Sequence, residues 1–86
     1  MSDIPVLNVI IRSKEKVLYN ESAYAVTSIN DKGTFDILPK HENFITLIKD
    51  SITIHVTPKE KIQFQIENGL ARVIENKVDI YVNFKH

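Results

Sequence analysis

Chemistry in a small protein needs titratable or nucleophilic side chains at workable spacing, so the histidines and carboxylates come first. The histidines are His41, His55 and His86. None is spaced as a helix-borne metal pair, and no two share a strand face at close range. His55 stands between Ile54 and Val56 in a strand-like run and is expected to face solvent, while His86 is terminal. Asp36 and Glu42 form a carboxylate pair around the corner Leu38-Pro39-Lys40-His41-Glu42-Asn43. Carboxylates on loops and strand edges ordinarily solvate the chain, cap turns or block edge pairing. No serine elbow, HExxH or phosphate loop occurs, and two glycines are too few for the usual phosphate cradle. Cysteine is absent, which removes disulfides, thiolate zinc sites and a thiol nucleophile. The residues therefore give no reason to assign a catalytic, metal or cofactor site. The corner reads first as structure: Pro39 fixes φ and drives Leu38 to extended backbone, ending a strand.

The 86 residues bound the chain to one domain, residues 1–86, and 43% hydrophobic content supplies a packed core. Eleven basic and eleven acidic residues give zero formal charge. A nucleic-acid partner calls for a basic face, so that class is disfavoured. No run reaches the roughly 20 apolar residues of a membrane helix, and the N-terminus lacks the basic and apolar regions of a secretion signal. Neutral charge gives little colloidal protection and suits a chain held inside an assembly.

The elements that would position any site are strands. Leu7, Val9 and Ile11 share one face of a first strand. Val17 and Tyr19 begin a second, and Tyr24, Val26 and Ser28 oppose Ala25, Thr27 and Ile29 on a third. Ile52, Ile54 and Val56 line another, followed by the turn Pro58-Lys59-Glu60. Ile62, Phe64 and Ile66 alternate cleanly, and Val78, Ile80 and Val82 close the series. β-branched alternation broken by Asn, Asp, Pro and Gly reads as short antiparallel strands, which suggests a sandwich or barrel. Asn30-Asp31-Lys32-Gly33 reads as a turn with Gly33 at positive φ, and Glu75-Asn76 as a tight hairpin with Asn76 in the left-handed region. Asn68-Gly69 carries a strong hairpin signal, with a bulge as the alternative. Phe35, Ile37, Leu38, Phe44 and Ile45 crowd one region, and some are expected to form an exposed apolar patch.

Leu7-Asn8-Val9-Ile10-Ile11, then Gly33-Thr34-Phe35-Asp36-Ile37-Leu38-Pro39-Lys40-His41, then Asn68-Gly69-Leu70-Ala71-Arg72-Val73 and Asn76-Lys77-Val78-Asp79-Ile80 form an ordered pattern. It resembles the N-terminal β-sandwich domain of the ATP synthase epsilon subunit, called delta in mitochondria, from about Leu7 to Val82. The Ile37-Leu38-Pro39-Lys40-His41 piece is its most specific part. Asp36, Lys40, Asn43, Asp50-Ser51 and Asn68 stand where that family carries glycine, proline or Pro-Gly, and losing the glycines is expected to alter turn geometry.

The resemblance implies an all-β, flattened sandwich of about ten short, mostly antiparallel strands. It implies a non-catalytic rotor subunit without a cofactor. Such a subunit docks on the gamma subunit and the polar loops of the c-ring, and couples ion-driven rotation to ATP synthesis. By position, Asp31, Lys32, Gly33, Thr34 and His41 correspond to the c-ring side, and Ser13, Asn43, Phe44 and Thr46 to the gamma side. Phe44 and Phe35 are the expected anchors. The implied location is peripheral, at the cytoplasmic face of a bacterial membrane. The chain stops where the sandwich should end, so the C-terminal helical hairpin of bacterial relatives is not expected, nor is inhibition by it. The rival readings are a ligand- or protein-binding sandwich unrelated to the synthase and, behind it, a carrier domain modified at Lys32.

Overall fold

The computed structural model describes residues 6–40 and 42–84. Among the described residues seven strands follow one another without a helix: β1 Leu7–Arg12, β2 Val17–Ala23, β3 Ala25–Asn30, β4 Gly33–Ile37, β5 Phe44–His55, β6 Lys61–Ile74 and β7 Lys77–Asn83. They form one hydrogen-bonded sheet in the order β2-β1-β7-β6-β5-β3-β4. Every neighbouring pair is antiparallel except β1 and β7.

That sheet cannot lie flat. Leu7, Val9 and Ile11 of β1 share one buried cluster with Val26 of β3 and Ile37 of β4. In a flat sheet β1 and β3 would lie four strand spacings apart, about 19 Å, too far for side chains to meet. The sheet closes on itself through its two long strands. Along β5 and β6, Lys49 faces Asn68 and Ser51 faces Gln65, so Asp50 alone opposes Ile66 and Glu67. This bulge flips the buried parity of β6 from Ile66 to Ala71 and Val73, and a bulge bends and twists the strand that carries it. Beyond it β7 pairs only with Asn68–Ile74, while β3 pairs mainly with the other arm of β5.

The first layer is therefore β2, β1, β7 and one arm each of β6 and β5, and the second is the other arms with β3 and β4. Five and four strand segments give nine for the seven strands, close to the expected ten. Sequence reading divided β6 at Asn68-Gly69, whose turn chemistry lies beside this bulge.

The inward positions of β1 and β7 are buried as alternation predicts: Leu7, Val9 and Ile11, and Val78, Ile80 and Val82. Ser28 is the buried polar residue among those described, and its hydroxyl donates to the Ser51 carbonyl at 2.8 Å, beside the bulge. The Pro58 turn stands where expected, with the Thr57 hydroxyl accepting from the Glu60 and Lys59 amides.

Three expectations need correction. Asn68-Gly69 is not a hairpin but lies inside β6, with Gly69 opposite Ile48 and Val82. A Cβ there would sit 2.5 Å from the Tyr81 carbonyl, so the glycine serves close strand approach rather than a turn. The Glu75-Asn76 hairpin exists, but Glu75 takes the positive φ of 56°. Lys40 (φ 67°) and Asp50 (φ 69°) occupy the left-handed region despite their Cβ atoms. The Ile62–Ile66 alternation is less inward than it reads: Ile62 is exposed, and Phe64 is half-buried.

Candidate functional site

The expected sites gather along β5 and at the ends of the sandwich. At one end the corner before β5 is tied to the β6–β7 hairpin. The Asn43 Oδ1 accepts from the Glu75 amide and the Asn76 Oδ1 accepts from the Lys40 amide, each at 2.7 Å. The two asparagine side chains thus fix this corner, and they help hold Lys40 and Glu75 in their unfavourable φ. His41 lies outside the described residues. Phe44 is half-buried and meets Phe35 edge-to-face, ring centroids 6.0 Å apart, both packed on the core. Phe35 is thereby a core residue, and Phe44 joins core to rim. Of the crowded apolar group, Ile37 is fully buried while Leu38 and Ile45 are exposed.

Asp31, Lys32, Gly33 and Thr34 are exposed on the β3–β4 turn and the start of β4. The Asn30 Oδ1 accepts from the Lys32 amide at 2.9 Å, and Gly33 takes φ 117° as the turn requires. The Asn30 amide group also donates to the Thr46 hydroxyl at 3.3 Å, which brings this turn against β5. Four of the c-ring-side residues and Thr46 are thus neighbours. Ser13 stands apart on the β1–β2 turn, three strands away in the same layer, where its hydroxyl accepts from the Glu15 and Lys16 amides.

Polar chemistry on the outer face of the second layer is satisfied internally. The Thr27 hydroxyl donates to Asp36 Oδ1 at 2.6 Å and meets His55 Nε2 at 2.9 Å. With its proton on the carboxylate, the hydroxyl accepts from the imidazole, so His55 is not placed to activate it. The solvent-facing expectation for His55 is corrected accordingly: it is half-buried and bonded. Among the described residues no three His, Cys, Asp or Glu side chains come together to hold a metal. Among the described residues the one perturbed titration is that of Tyr19, whose hydroxyl is pushed above its ordinary value first by burial and second by the Glu21 carboxylate. It donates to the Ser22 carbonyl at 2.9 Å.

The outer face of the first layer differs. Leu47 opposes Leu70, which opposes Tyr81, and all three are exposed, Leu47 by 73%. Ile45 and Ile74 extend this ridge. Sequence reading missed it, although the signal was present: the alternation of Ile45, Leu47 and Lys49 continues along β5. The fold defines the class: a small all-β sandwich of two layers, with an apolar outer face exposed on the first.

Residues 6–84 match the family described as ATP synthase, Delta/Epsilon chain, beta-sandwich domain, and the chain belongs to that family. It is similar to the ATP synthase epsilon chain of Corynebacterium aurimucosum, 28% identical over 74 residues, covering 84% of this chain and 61% of the relative. It is 27% identical over 78 residues to the plastid ATP synthase epsilon chain of Prototheca wickerhamii, covering 91% and 58%. The chain thus spans less than two thirds of the length of these curated relatives. Among solved structures, a chain of the Euglena gracilis mitochondrial ATP synthase (OSCP/F1/c-ring) superposes with a TM-score of 0.84 at 21% identity, covering 94% of this chain and 53% of that one. A chain of the Tetrahymena thermophila mitochondrial ATP synthase central stalk and c-ring gives 0.74 at 16%, covering 94% and 64%. These likenesses show the shared sandwich fold.

Proposed function

We propose that this chain is a central-stalk subunit of an F-type ATP synthase. It docks on the gamma subunit and the c-ring, couples ion-driven rotation to ATP synthesis, and performs no chemistry itself. The observation that carries the reading is family membership across residues 6–84. The solved relatives, found in F1/c-ring and central-stalk assemblies, support it. A coupling element must pass torque between two partners without deforming. The role calls for a stiff body with two contact regions, and two layers joined by continuous strands suit it.

In this reading Asp31, Lys32, Gly33, Thr34 and His41 meet the c-ring, and Ser13, Asn43, Phe44 and Thr46 meet gamma. The subunit sits peripherally at a membrane, and no helix among the described residues is long and apolar enough to cross one. Its finer placement at the cytoplasmic face of a bacterial membrane is favoured by the Corynebacterium relative. The plastid and mitochondrial relatives make an organelle the alternative to test.

Co-expression with the cognate gamma subunit, followed by size exclusion, tests the reading. A one-to-one complex weakened by Phe44→Ala or Thr46→Arg is expected. Absence of any complex with gamma, alone or with the c-ring, would overturn the docking reading while leaving family membership in place.

A further inference from the structure

β7 pairs with β6 only over Asn68–Ile74. The other arm of β6, Lys61–Glu67, has β5 on one side and no strand on the other among the described residues. No backbone bond from a turn or loop reaches it there. Burial marks the gap. Ile54 and Ile52 of β5 are fully buried, yet their partners across the ladder are not: Ile62 is 41% exposed and Phe64 is half-buried. All four face inward, so the outer pair lacks cover because no strand lies beyond it.

The arm reads Lys61-Ile62-Gln63-Phe64-Gln65-Ile66-Glu67. Its chemistry is symmetric about Phe64. Turned antiparallel against itself, it sets Lys61 opposite Glu67, Ile62 opposite Ile66, Gln63 opposite Gln65 and Phe64 opposite Phe64. Opposite charges, aliphatic pairs and aromatic pairs are the combinations that stabilise an antiparallel ladder. Parity agrees as well, because a pairing centred on Phe64 keeps inward side chains beside inward ones. A slip of two residues shortens the match to five residues and sets neither charge opposite the other.

Within one chain Lys61 and Glu67 cannot satisfy each other, since six residues of strand separate them by about 20 Å. Neither has an ion pair among the described residues. An edge lysine ordinarily deters strand pairing; here the deterrent is matched by the glutamate of an identical strand. The outer strands β2 and β4 lack this symmetry, as self-pairing would set Tyr19 against Glu21 and Thr34 against Asp36.

We infer that Lys61–Glu67 is a self-recognition edge, at which a second copy of this chain adds its own β6 antiparallel about a two-fold axis at Phe64. The second layers of the two copies then run on as one sheet of eight strands, β4-β3-β5-β6 followed by the same four in reverse. Ile62 and Phe64 gain the neighbours they lack. The two-fold uses up both edges, so assembly closes at two copies. The contact is one strand wide, less than a standard interface, so the dimer is weak and depends on concentration. It uses none of the residues assigned to gamma or the c-ring and stands or falls apart from that reading.

Sedimentation of the 86-residue chain across a concentration series up to about 1 mM tests this. Wild type should pass from monomer to dimer and no further. Lys61→Glu and Glu67→Lys each create two like-charge pairs at the edge and should weaken the dimer about tenfold. The double variant Lys61→Glu/Glu67→Lys restores opposite charges only if residue 61 faces residue 67, and should return to within about twofold of wild type. Both positions are exposed, and melting curves confirm that each variant folds; if one single variant misfolds, the other is compared with the double. Alternate amides in Lys61–Glu67 should exchange more slowly in the dimer.

A chain that stays monomeric throughout the series overturns the inference. Single variants that dimerise as wild type does, or a double variant as weak as the single ones, overturn it too. Growth past the dimer also overturns it and makes the arm a site of open-ended strand stacking.

Discussion

Gly69→Ala tests whether Gly69 serves a turn or a close strand approach. The added Cβ would lie 2.5 Å from the Tyr81 carbonyl oxygen, and 3.3 and 3.4 Å from Cγ1 and Cδ1 of Ile48. Reaching ordinary contact at 3.4 Å requires a movement of about 0.9 Å. The Ile48 side chain can rotate, but the carbonyl belongs to the β6–β7 ladder. Opening that ladder by about 0.9 Å would stretch a hydrogen bond of about 2.9 Å to nearly 3.8 Å, beyond a useful bond. One or two lost bonds cost about 0.5–1.5 kcal/mol each, and overpacking costs about 1–3 kcal/mol. Against these, alanine gains about 0.5–1 kcal/mol from a less flexible unfolded chain. The net expectation is a loss of about 2–3 kcal/mol, or roughly 8–24 °C in Tm for a domain of this size. Thermal and urea melts followed by circular dichroism give the value. Gly69→Asn sharpens the test, since asparagine suits a left-handed turn but is bulkier in a ladder. A Tm within about 2 °C of wild type for Gly69→Ala, or Gly69→Asn milder than Gly69→Ala, would refute the close-approach account.

Lys40→Gly and Asp50→Gly should each stabilise the fold by a few tenths to about 1 kcal/mol. Relief of left-handed strain outweighs the entropy glycine adds to the unfolded chain, and a lower urea midpoint would contradict this. Ser28→Ala should cost about 1–2 kcal/mol because the Ser51 carbonyl at the bulge loses its donor; urea melts measure it. Asn43→Ala and Asn76→Ala should each cost about 1 kcal/mol, and faster amide exchange at Glu75 and Lys40 respectively should accompany the loss. The raised Tyr19 pKa means the folded state holds that proton more tightly, so its contribution is full below the ordinary value of 10.0 and is lost as pH rises past it. A Tm that falls above pH 10 in wild type, with a shallower fall in Tyr19→Phe, is the expected result.

Local pattern carried much of the fold. Alternation at Leu7–Ile11 and Val78–Val82 named buried faces because each segment has one wet and one dry side. The Asn30–Gly33 turn was legible because Gly33 supplies a φ that other residues adopt at a cost. What could not be read depends on partners distant in sequence. Gly69 looks like a turn residue until Tyr81 is placed against it. The bulge at Asp50 interrupts β5 and β6 only because the two strands face each other there. Asp36 reads as a loop carboxylate until Thr27 of β3, itself bonded to His55 of β5, donates to it. The ridge of Leu47, Leu70 and Tyr81 is assembled from three strands, and no single segment announces it.

The β5–β6 ribbon has a mechanical meaning. Its strands run through both layers, with backbone pairing from Phe44–Val73 to His55–Lys61 interrupted only at the bulge. In a sandwich held by side-chain packing alone, a lateral load can slide one layer over the other. Here sliding would have to bend two covalent backbones and shear the hydrogen bonds between them together. A push on the outer face of the first layer therefore reaches β3 and β4 through bonded chain. The bulge is where bending would concentrate, and the hydroxyl of Ser28 braces it from inside. The domain transmits load as a folded ribbon does, along its length and around its fold.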